Sequence, residues 1–451
     1  MRATRFRWVV IALIFSITVI NYIDRSAISY AMSDIMREFH FGAREAGLIL
    51  GAFGVGYMIT TFLGGIWSDR HGARVTLLIA SLLWSLAIGM TGFAVGFVML
   101  YVARVVLGVA EGPNFPVLNR AVADWLSSRE RAIALSNSLV AVPLALAIGA
   151  PIVTQLIVHA GWRGMFVILM LLGLVWLPLW WFLFRDFPEH SRFVNAAELT
   201  HIRDGREATD LDAKALRAKR RGTHGLWKFL FTNPTLLAND WAFFVFGYYL
   251  FFFMTWLPGY LEKAYQLNLK QVGVFSVLPW ICAAVLLWAF GYLSDALLRK
   301  TGSLRIARSH PIWISQLLAA LCILPVIFTH DLTVALIFIS LAVALSMSSN
   351  AAFYAVNVDV ARERAGTALG VMDTFFALSG FLAPAVTGWL LGATGSFASA
   401  FWLLAILSLS AVVTVIVFHR PDASARLERT AAAARPGLAV AGDEVRLPPV
   451  P

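Results

Sequence analysis

The stretch GGIWSDRHGAR, residues 64–74, decides the fold because a weakened copy of it returns later in the chain. The copy is GYLSDALLRKTG, residues 291–302, and both stretches read Gly-x-x-Ser-Asp followed by basic residues and a glycine. The first stretch closes the second long apolar run of the sequence, and the copy closes the eighth. The repeat therefore predicts two similar halves with six apolar runs each.

Each of these runs is long enough to cross a bilayer, which takes about 20 mostly apolar residues in a helix. We name them spans one to twelve, and they cover residues 8–31, 45–68, 75–95, 97–120, 131–158, 163–184, 235–261, 270–298, 310–329, 332–358, 364–393 and 397–418. Backbone groups in lipid must be hydrogen-bonded within their own segment, so the spans are predicted to be helices. The expected fold class is an all-α polytopic membrane protein, with twelve transmembrane helices in two six-helix bundles.

Composition supports a membrane protein and argues against other classes. Of the 451 residues, 59% are hydrophobic and 14% are charged, against about 25% charged in soluble proteins. The net charge of +10 comes from basic residues in short loops between apolar runs, which indicates topology and not a nucleic-acid surface. Cys282 and Cys322 both lie in apolar runs, so we expect neither a disulfide framework nor a metal site.

The polar segments define the expected domains. Residues 1–184 form an N-terminal bundle, 185–234 a cytoplasmic linker, 235–418 a C-terminal bundle and 419–451 a tail. The tail is rich in Ala, Pro and Gly, so we expect it to be disordered.

Basic residues predict the orientation in the membrane. Loops on the side of the termini hold most of them, whereas the opposite loops hold Arg37, Arg44, Arg163, Lys263 and Lys270. By the positive-inside rule, both termini and the linker are cytoplasmic.

Two pairs of charged residues stand out within the apolar spans, Asp24 and Arg25 in span one and Arg104 and Glu111 in span four. A charge at the bilayer centre costs roughly 2.5–3.5 kcal/mol, so it usually faces a partner or a water-filled cavity. One interpretation is that buried ion pairs hold span one against span four. The other is a cavity in which an arginine binds a carboxylate while the acids take up and release protons.

Two levels of resemblance to known families are carried by these motifs. Residues 65–74, GIWSDRHGAR, resemble the signature loop of the major facilitator superfamily. NYIDR in span one, GAFGVGY in span two and RVVLGVAEGPNFP in span four resemble the anion:cation symporter family. That family includes bacterial hexuronate, galactonate, glucarate and phthalate carriers and the animal protein sialin.

The resemblance implies a secondary active transporter of a bacterial inner (plasma) membrane, multi-pass and monomeric. It implies proton-coupled symport of a small organic anion, such as a hexonate or hexuronate, by alternating access. No cofactor is expected because the proton gradient drives transport. An anion exchanger or a uniporter of the same fold remains an alternative.

The resemblance also implies roles for individual residues. Arg25 binds the substrate carboxylate and Tyr57 lines the site. Asp24 and Glu111 carry protons, and Arg104 tunes Glu111.

The signature loop is implied to act as a conformational latch. Its residues are Gly65, Asp69, Arg70 and Arg74, with Asp295 at the matching position of the copy. From its residue type, Gly65 is expected to let span two approach a neighbouring helix closely.

Recognition of the rest of the substrate is assigned to further polar residues. Tyr22 in span one is either a packing residue or part of the site, and Tyr249 in span seven and Asn350 in span ten are candidates for binding hydroxyl groups. Asp373 in span eleven stands where the family pattern usually has Asn. It repels a second carboxylate unless protonated, binds a further proton or a cationic group, or packs against a neighbouring helix, and the sequence leaves these roles open.

Span five departs from the pattern of sugar-acid carriers. Val142, Pro143 and Leu144 stand where those carriers tend to place an amide. A less polar wall suits a less hydroxylated acid, so an aromatic or simple carboxylate is the alternative substrate class.

A polytopic membrane enzyme or a sensor is the competing class. The nine histidines lie mostly in loops, without the spacing of metal ligands, so we expect no catalytic or metal site. The linker is too short and too polar for a signalling domain.

Overall fold

The computed structural model describes residues 3–204, 226–361 and 364–424, and within these ranges the ordered elements are helices with no β-strand. The helices of the N-terminal half are Phe6–Phe39, Ala43–His71, Ala73–Gly92, Phe97–Glu111, Asn114–Trp125 and Ser128–Leu183. The helices of the C-terminal half are Pro234–Tyr265, Leu269–Phe275, Val277–Thr301, Arg305–Ser309, His310–Phe328, Leu332–Ser348, Asn350–Ala361, Ala365–Thr394 and Ala398–Phe418. Short helices between the halves are Pro188–His190, Ala196–Asp204 and Leu226–Thr232.

These helices form the twelve predicted spans. Ten helical segments in the described residues are long and apolar enough to cross a membrane. Span two, Ala43–His71, adds one more, and the long helix Ser128–Leu183 is two spans because Gly161 interrupts it with φ 71°. This positive φ suits glycine, which has no Cβ. The predicted all-α fold is confirmed.

Span four bends beside its buried acid. Its first helix ends at Glu111 and a second helix begins at Asn114, so the break lies at Gly112 and Pro113. Proline lacks a backbone N–H and clashes with the preceding turn, which breaks the helix there. The helix of span four is therefore interrupted next to Glu111.

Glycines bring span two against span four. A Cβ added at Gly56 would lie 2.0 Å from the carbonyl oxygen of Val105, and one at Gly108 would lie 2.1 Å from that of Phe53. These two helices therefore pack backbone against backbone, which side chains at either glycine would prevent.

The expected close approach at Gly65 is wrong. The nearest atom to a Cβ added at Gly65 is 3.8 Å away, on Pro116, whereas one added at Gly64 would lie 2.7 Å from Pro113. Adjacent helical residues point about 100° apart, so Gly64 faces span four and Gly65 is rotated away from it.

The two halves touch on the side of the membrane away from the termini. A Cβ added at Gly47 or Gly51 of span two would lie 2.7 Å from the backbone of span eleven, and one at Gly54 would lie 2.3 Å from it. Nearer the terminal side, and among the described residues, an added Cβ at Gly65 meets only Pro116 of its own half, and one at Gly291 of span eight meets no atom within 4 Å. The halves therefore pack closely on the side away from the termini. On the terminal side, within the described part of the chain, they do not pack together at Gly65 or Gly291.

The linker helix Ala196–Asp204 is joined to the N-terminal half through Glu198. This fully buried carboxylate accepts hydrogen bonds from the backbone N–H of Phe6 and of Arg7, both at 3.1 Å, and pairs with the Arg7 guanidinium at 3.0 Å. Arg7 also pairs with Glu130 at 3.0 Å. Burial opposes ionisation of Glu130, but the hydrogen bonds from Arg7 outweigh it and lower the pKa of the Glu130 carboxyl.

The tail is ordered further than expected. The ring of His419 is buried and hydrogen-bonded to Ser309 at 2.6 Å, and Asp422 accepts from the backbone N–H groups of Leu304 and Arg305 at 2.8 and 2.9 Å. The expectation of disorder from residue 419 therefore does not hold for residues 419–424, because these contacts cap the start of span nine. Residues 425–451 lie outside the described part of the chain.

Candidate functional site

Arg25 is the centre of the buried charges. Its Nε and Nη2 donate to one carboxylate oxygen of Glu111 at 3.0 and 2.8 Å, and its Nη2 also donates to Asn21 at 3.2 Å. Arg25 and Glu111 are almost completely buried. An ion pair therefore joins span one to span four, as the first interpretation of these charges predicted.

The ion pair leaves part of the guanidinium unused. Nη1 of Arg25 is buried and has no hydrogen-bond partner among the described residues. Most buried polar atoms in proteins are hydrogen-bonded, so a buried donor without a partner calls for an explanation. A bound carboxylate would supply the acceptor.

Aromatic rings surround the Arg25 guanidinium. Its central carbon lies 4.4 Å from the ring centroids of Tyr22 and Phe53 and 5.0 Å from that of Tyr57. Such cation–π contacts stabilise a charge away from bulk water. Tyr22 and Tyr57 are thus both brought to Arg25.

Arg104 and Asp24 lie beside this cluster with unused bonding capacity. Arg104 donates from Nη2 to the backbone carbonyl of Arg25 at 3.3 Å, and its guanidinium lies 5.4 Å from the ring of Phe53. Its Nε and Nη1, and both carboxylate oxygens of Asp24, are buried without a partner among the described residues. The cluster therefore holds buried donors and acceptors that no described residue satisfies.

The C-terminal half contributes Asp373 and Tyr354. The Tyr354 hydroxyl donates to the Asp373 carboxylate at 3.3 Å, and both residues are partly exposed although they lie within spans. Both lie within electrostatic range of Tyr22 and Tyr57. The pair therefore faces the Arg25 cluster from the opposite half.

Among the described residues, neither Tyr249 nor Asn350 makes a hydrogen bond or ring contact with the residues around Arg25. The Tyr249 hydroxyl donates to the carbonyl of Leu404 in span twelve at 3.4 Å, inside the C-terminal half. Asn350 is nearly buried, and its side-chain oxygen has no partner among the described residues. Their predicted roles stay predictions.

The signature loop and its copy make different contacts. Arg74 stacks 3.8 Å above the ring of Trp181, and its backbone N–H donates to Asp186 at 2.9 Å. In the copy, Asp295 pairs with Arg308 at 3.1 Å. Arg70 is exposed, and the side chain of Asp69 lies outside the described part of the structure.

Sequence reasoning missed four residues of the site. Phe53 stands one helical turn before Tyr57 and stacks on it at 5.3 Å, so its spacing was a usable signal. Asn21 likewise stands one turn before Arg25. Tyr354 and the buried Asp240, which lies within electrostatic range of Asp373, come from other spans and gave no local signal.

Comparisons with known proteins agree with this fold. The sequence profile of the Major Facilitator Superfamily matches residues 14–306 and 301–450. The chain is 33% identical over 418 residues to the hexuronate transporter of Bacillus subtilis, covering 91% of this chain and 94% of that protein. It is 34% identical over 403 residues to a probable sulfoacetate transporter of Cupriavidus necator, covering 88% and 90%. It is 30% identical over 414 residues to the D-galactonate transporter of Escherichia coli, covering 92% and 95%.

A solved structure shows the same fold. The bacterial homolog of the human lysosomal transporter Spinster, in an inward-facing and unoccupied conformation, superimposes with a TM-score of 0.71 at 17% identity, covering 94% of this chain and 98% of that one. The resemblance to the major facilitator superfamily, first indicated by the signature loop, is thus confirmed over residues 14–306 and 301–450. The chain belongs to the Major Facilitator Superfamily and is a multi-pass membrane transporter, not an enzyme.

Proposed function

We propose that the protein is a secondary active transporter that carries a small organic anion together with protons. The observation that carries the proposal is Arg25, a buried guanidinium with Nη1 unpartnered among the described residues, three aromatic rings around it and one acid, Glu111, as its ion-pair partner. A planar guanidinium can bind a carboxylate through two parallel hydrogen bonds. The relatives named above, carriers of hexuronate, sulfoacetate and D-galactonate, support an organic acid as substrate.

Exchange of partners at Arg25 couples the anion to a proton. Glu111 uses one oxygen to accept both hydrogen bonds from Arg25. A substrate carboxylate that takes Nη1 and Nη2 competes for the second of these bonds. Glu111 then loses part of its interaction with the positive charge of Arg25, which favours the ionised carboxylate. Glu111 therefore gains a proton more readily.

The balance of charge favours the same coupling. Asp24, Arg25, Arg104 and Glu111 sum to zero when all four are ionised. An arriving anion adds one negative charge to a site inside the membrane, and one proton on Asp24 or Glu111 cancels it. Because uncompensated charge there is costly, anion and proton bind best together.

Alternating access would follow from the two halves. The contacts of span two with span eleven close the side away from the termini, and rocking of one half against the other would open it. A proton need only bind one of the two states more tightly to bias the cycle. We assign the terminal side to the cytoplasm of a bacterial inner membrane on the basis of the basic loops, and the transporting unit to a monomer.

Uptake of organic acids into proteoliposomes tests the proposal. With an inward proton gradient, the parent is expected to accumulate a sugar acid such as galacturonate or galactonate. Arg25→Ala removes the carboxylate site and is expected to lower uptake at least about 100-fold, since a charged hydrogen-bonding partner is lost from a buried site.

The control is Arg37→Ala, which removes an exposed guanidinium whose partner is Asp34. It is expected to transport as the parent does. Equal uptake by Arg25→Ala and the parent would show that the anion binds elsewhere, and uptake that ignores the proton gradient would favour a uniporter or an exchanger.

A further inference from the structure

The two ends of the central site differ in charge. The N-terminal half supplies the guanidinium groups of Arg25 and Arg104, balanced by Asp24 and Glu111. The C-terminal half supplies Asp373, an acid that no cation balances among the described residues, with the Tyr354 hydroxyl on it at 3.3 Å. Among the described residues, no Lys or Arg lies within 4.0 Å of Asp373 to form an ion pair. Asp240 of span seven adds a second acid within electrostatic range of it.

Some other polar groups of the C-terminal half are hydrogen-bonded within that half, whereas the side-chain oxygen of Asn350 is buried without a partner among the described residues. Ser348 donates to the Leu345 carbonyl at 2.7 Å, and the Ser315 and Ser349 hydroxyls are 3.0 Å apart. The Asn357 amide donates to the sulfur of Met372 at 2.9 Å. Tyr354 and Asp373 are hydrogen-bonded to each other and lie within electrostatic range of the tyrosines around Arg25.

We propose that the Tyr354–Asp373 pair selects singly charged acids whose far end donates a hydrogen bond, and rejects acids with a second anionic group. With the substrate carboxylate on Arg25, the far end of the molecule points at the opposite half. When Asp373 is ionised, a hydroxyl there donates to its carboxylate, whereas a second carboxylate or a sulfonate meets a like charge. An unpaired charge placed against the wrong ligand is a common source of specificity.

This inference rests on the proposed function and divides the substrates named for the relatives. Hexuronate and galactonate carry one anionic group and hydroxyls. Sulfoacetate carries two anionic groups. The chain is accordingly assigned to the first set, although it is as similar to the sulfoacetate transporter as to the hexuronate transporter.

Two matched pairs of acids test the selectivity by thermal stabilisation of the purified protein and by inhibition of uptake. Galactonate and galactarate differ only in a terminal hydroxymethyl or carboxylate group. 4-(Hydroxymethyl)benzoate and terephthalate make the same change on an aromatic ring, which covers the alternative substrate class. In at least one pair, the monoacid is expected to bind at least about tenfold more tightly than the diacid.

Asp373→Asn keeps the shape of the side chain and removes its charge. It is expected to bring the diacid within about threefold of the monoacid by removing the like-charge repulsion. Asp373→Ser is a second variant, to be used if the Asp373→Asn variant folds poorly. Tyr354→Phe keeps the charge and should weaken the monoacid while the preference over the diacid remains.

The control is Asp331→Asn, which removes a carboxylate at the exposed start of span ten, where Asn also caps a helix well. Its preference should equal that of the parent. A diacid that binds the parent as tightly as its monoacid, an unchanged preference in both Asp373 variants, or the binding of neither pair would overturn the inference.

Failure of the proposed function looks different. If Arg25→Ala binds both acids of a pair as the parent does, the carboxylate is not held at Arg25 and the proposed function falls. If Arg25→Ala loses binding while both Asp373 variants keep the preference of the parent, only the selectivity inference is wrong.

Discussion

At the scale of single residues, the site depends on how Arg25 divides its hydrogen bonds. Glu111 accepts from Nε and Nη2 through the same oxygen, Oε2. Replacing a buried ion-pair partner usually destabilises because it leaves a charge uncompensated. Here the aromatic rings of Tyr22, Phe53 and Tyr57 lie within 5.0 Å of the guanidinium and compensate part of that loss. The pair can therefore separate during a transport cycle.

Glu111→Gln should uncouple transport from the proton gradient. Gln keeps an acceptor for Arg25 but has no carboxylate to protonate, so exchange of labelled for unlabelled acid should continue within about threefold of the parent rate. Accumulation driven by an inward proton gradient should fall to the equilibrium level. Both are measured in the same proteoliposomes by counterflow and by net uptake.

The control for this change is Glu189→Gln, which removes an acid that pairs with Arg203 outside the spans. It should keep both activities. Concentrative uptake by Glu111→Gln would assign the coupled proton to another group, with Asp24 the first alternative.

At the scale of elements, span two serves two contacts with two sets of glycines. Gly56 and Gly64 face span four of the same half, whereas Gly51 and Gly54 face span eleven of the other half. The first contact is part of a rigid bundle. The second must separate if the closed side opens, so only the second set should affect the balance between the two states.

Gly54→Ala should shift this balance away from the closed arrangement. Its new Cβ would lie 2.3 Å from the backbone nitrogen of Phe381. Overpacking of this kind costs about 1–3 kcal/mol, which shifts the population about 5- to 140-fold. The shift is measured as faster maleimide labelling of a cysteine at Ser33, on the closed side, with Cys282 and Cys322 replaced by Ser.

Gly65→Ala is the matched control on the same helix, since its nearest contact is 3.8 Å from the added Cβ. It should label at the parent rate. Equal labelling of the two variants would mean that the glycine contact does not hold the closed side together.

The elements also show where sequence reasoning stops. Span number and the kink at Pro113 could be predicted because hydrophobic length and proline act locally. Which residue of a helix faces a neighbouring helix depends on how the helix is rotated about its axis, and the sequence does not give this rotation. The sequence therefore points to Gly65, whereas Gly64 makes the close contact. Asn21 and Phe53 could be predicted from their spacing, because each lies one helical turn from a predicted site residue, Arg25 or Tyr57. Tyr354 and Asp373 meet across spans ten and eleven, and only the tertiary structure places them together.

At the scale of the whole molecule, the closed side is held by a second contact between the halves. The Ser33 hydroxyl of span one donates to Glu262 of span seven at 2.5 Å. Together with the contact of span two and span eleven, this bond places two junctions on the side away from the termini. A rigid-body rocking of the halves would have to break both in every cycle.

A reversible bridge across this contact should therefore stop transport. Cysteines at Ser33 and Glu262, in the background without Cys282 and Cys322, are joined by a short bifunctional methanethiosulfonate reagent. Uptake into proteoliposomes should fall by at least about tenfold on bridging, because the closed side can no longer open, and it should return when a reducing agent cleaves the bridge.

The control bridge joins cysteines at Glu38 and Arg163, whose side chains pair at 2.6 Å within the N-terminal half. Two positions inside one rigid bundle keep their distance during rocking, so this bridge should leave uptake unchanged. Full transport with the Ser33–Glu262 bridge in place would mean that the substrate crosses without separation of the halves at this point.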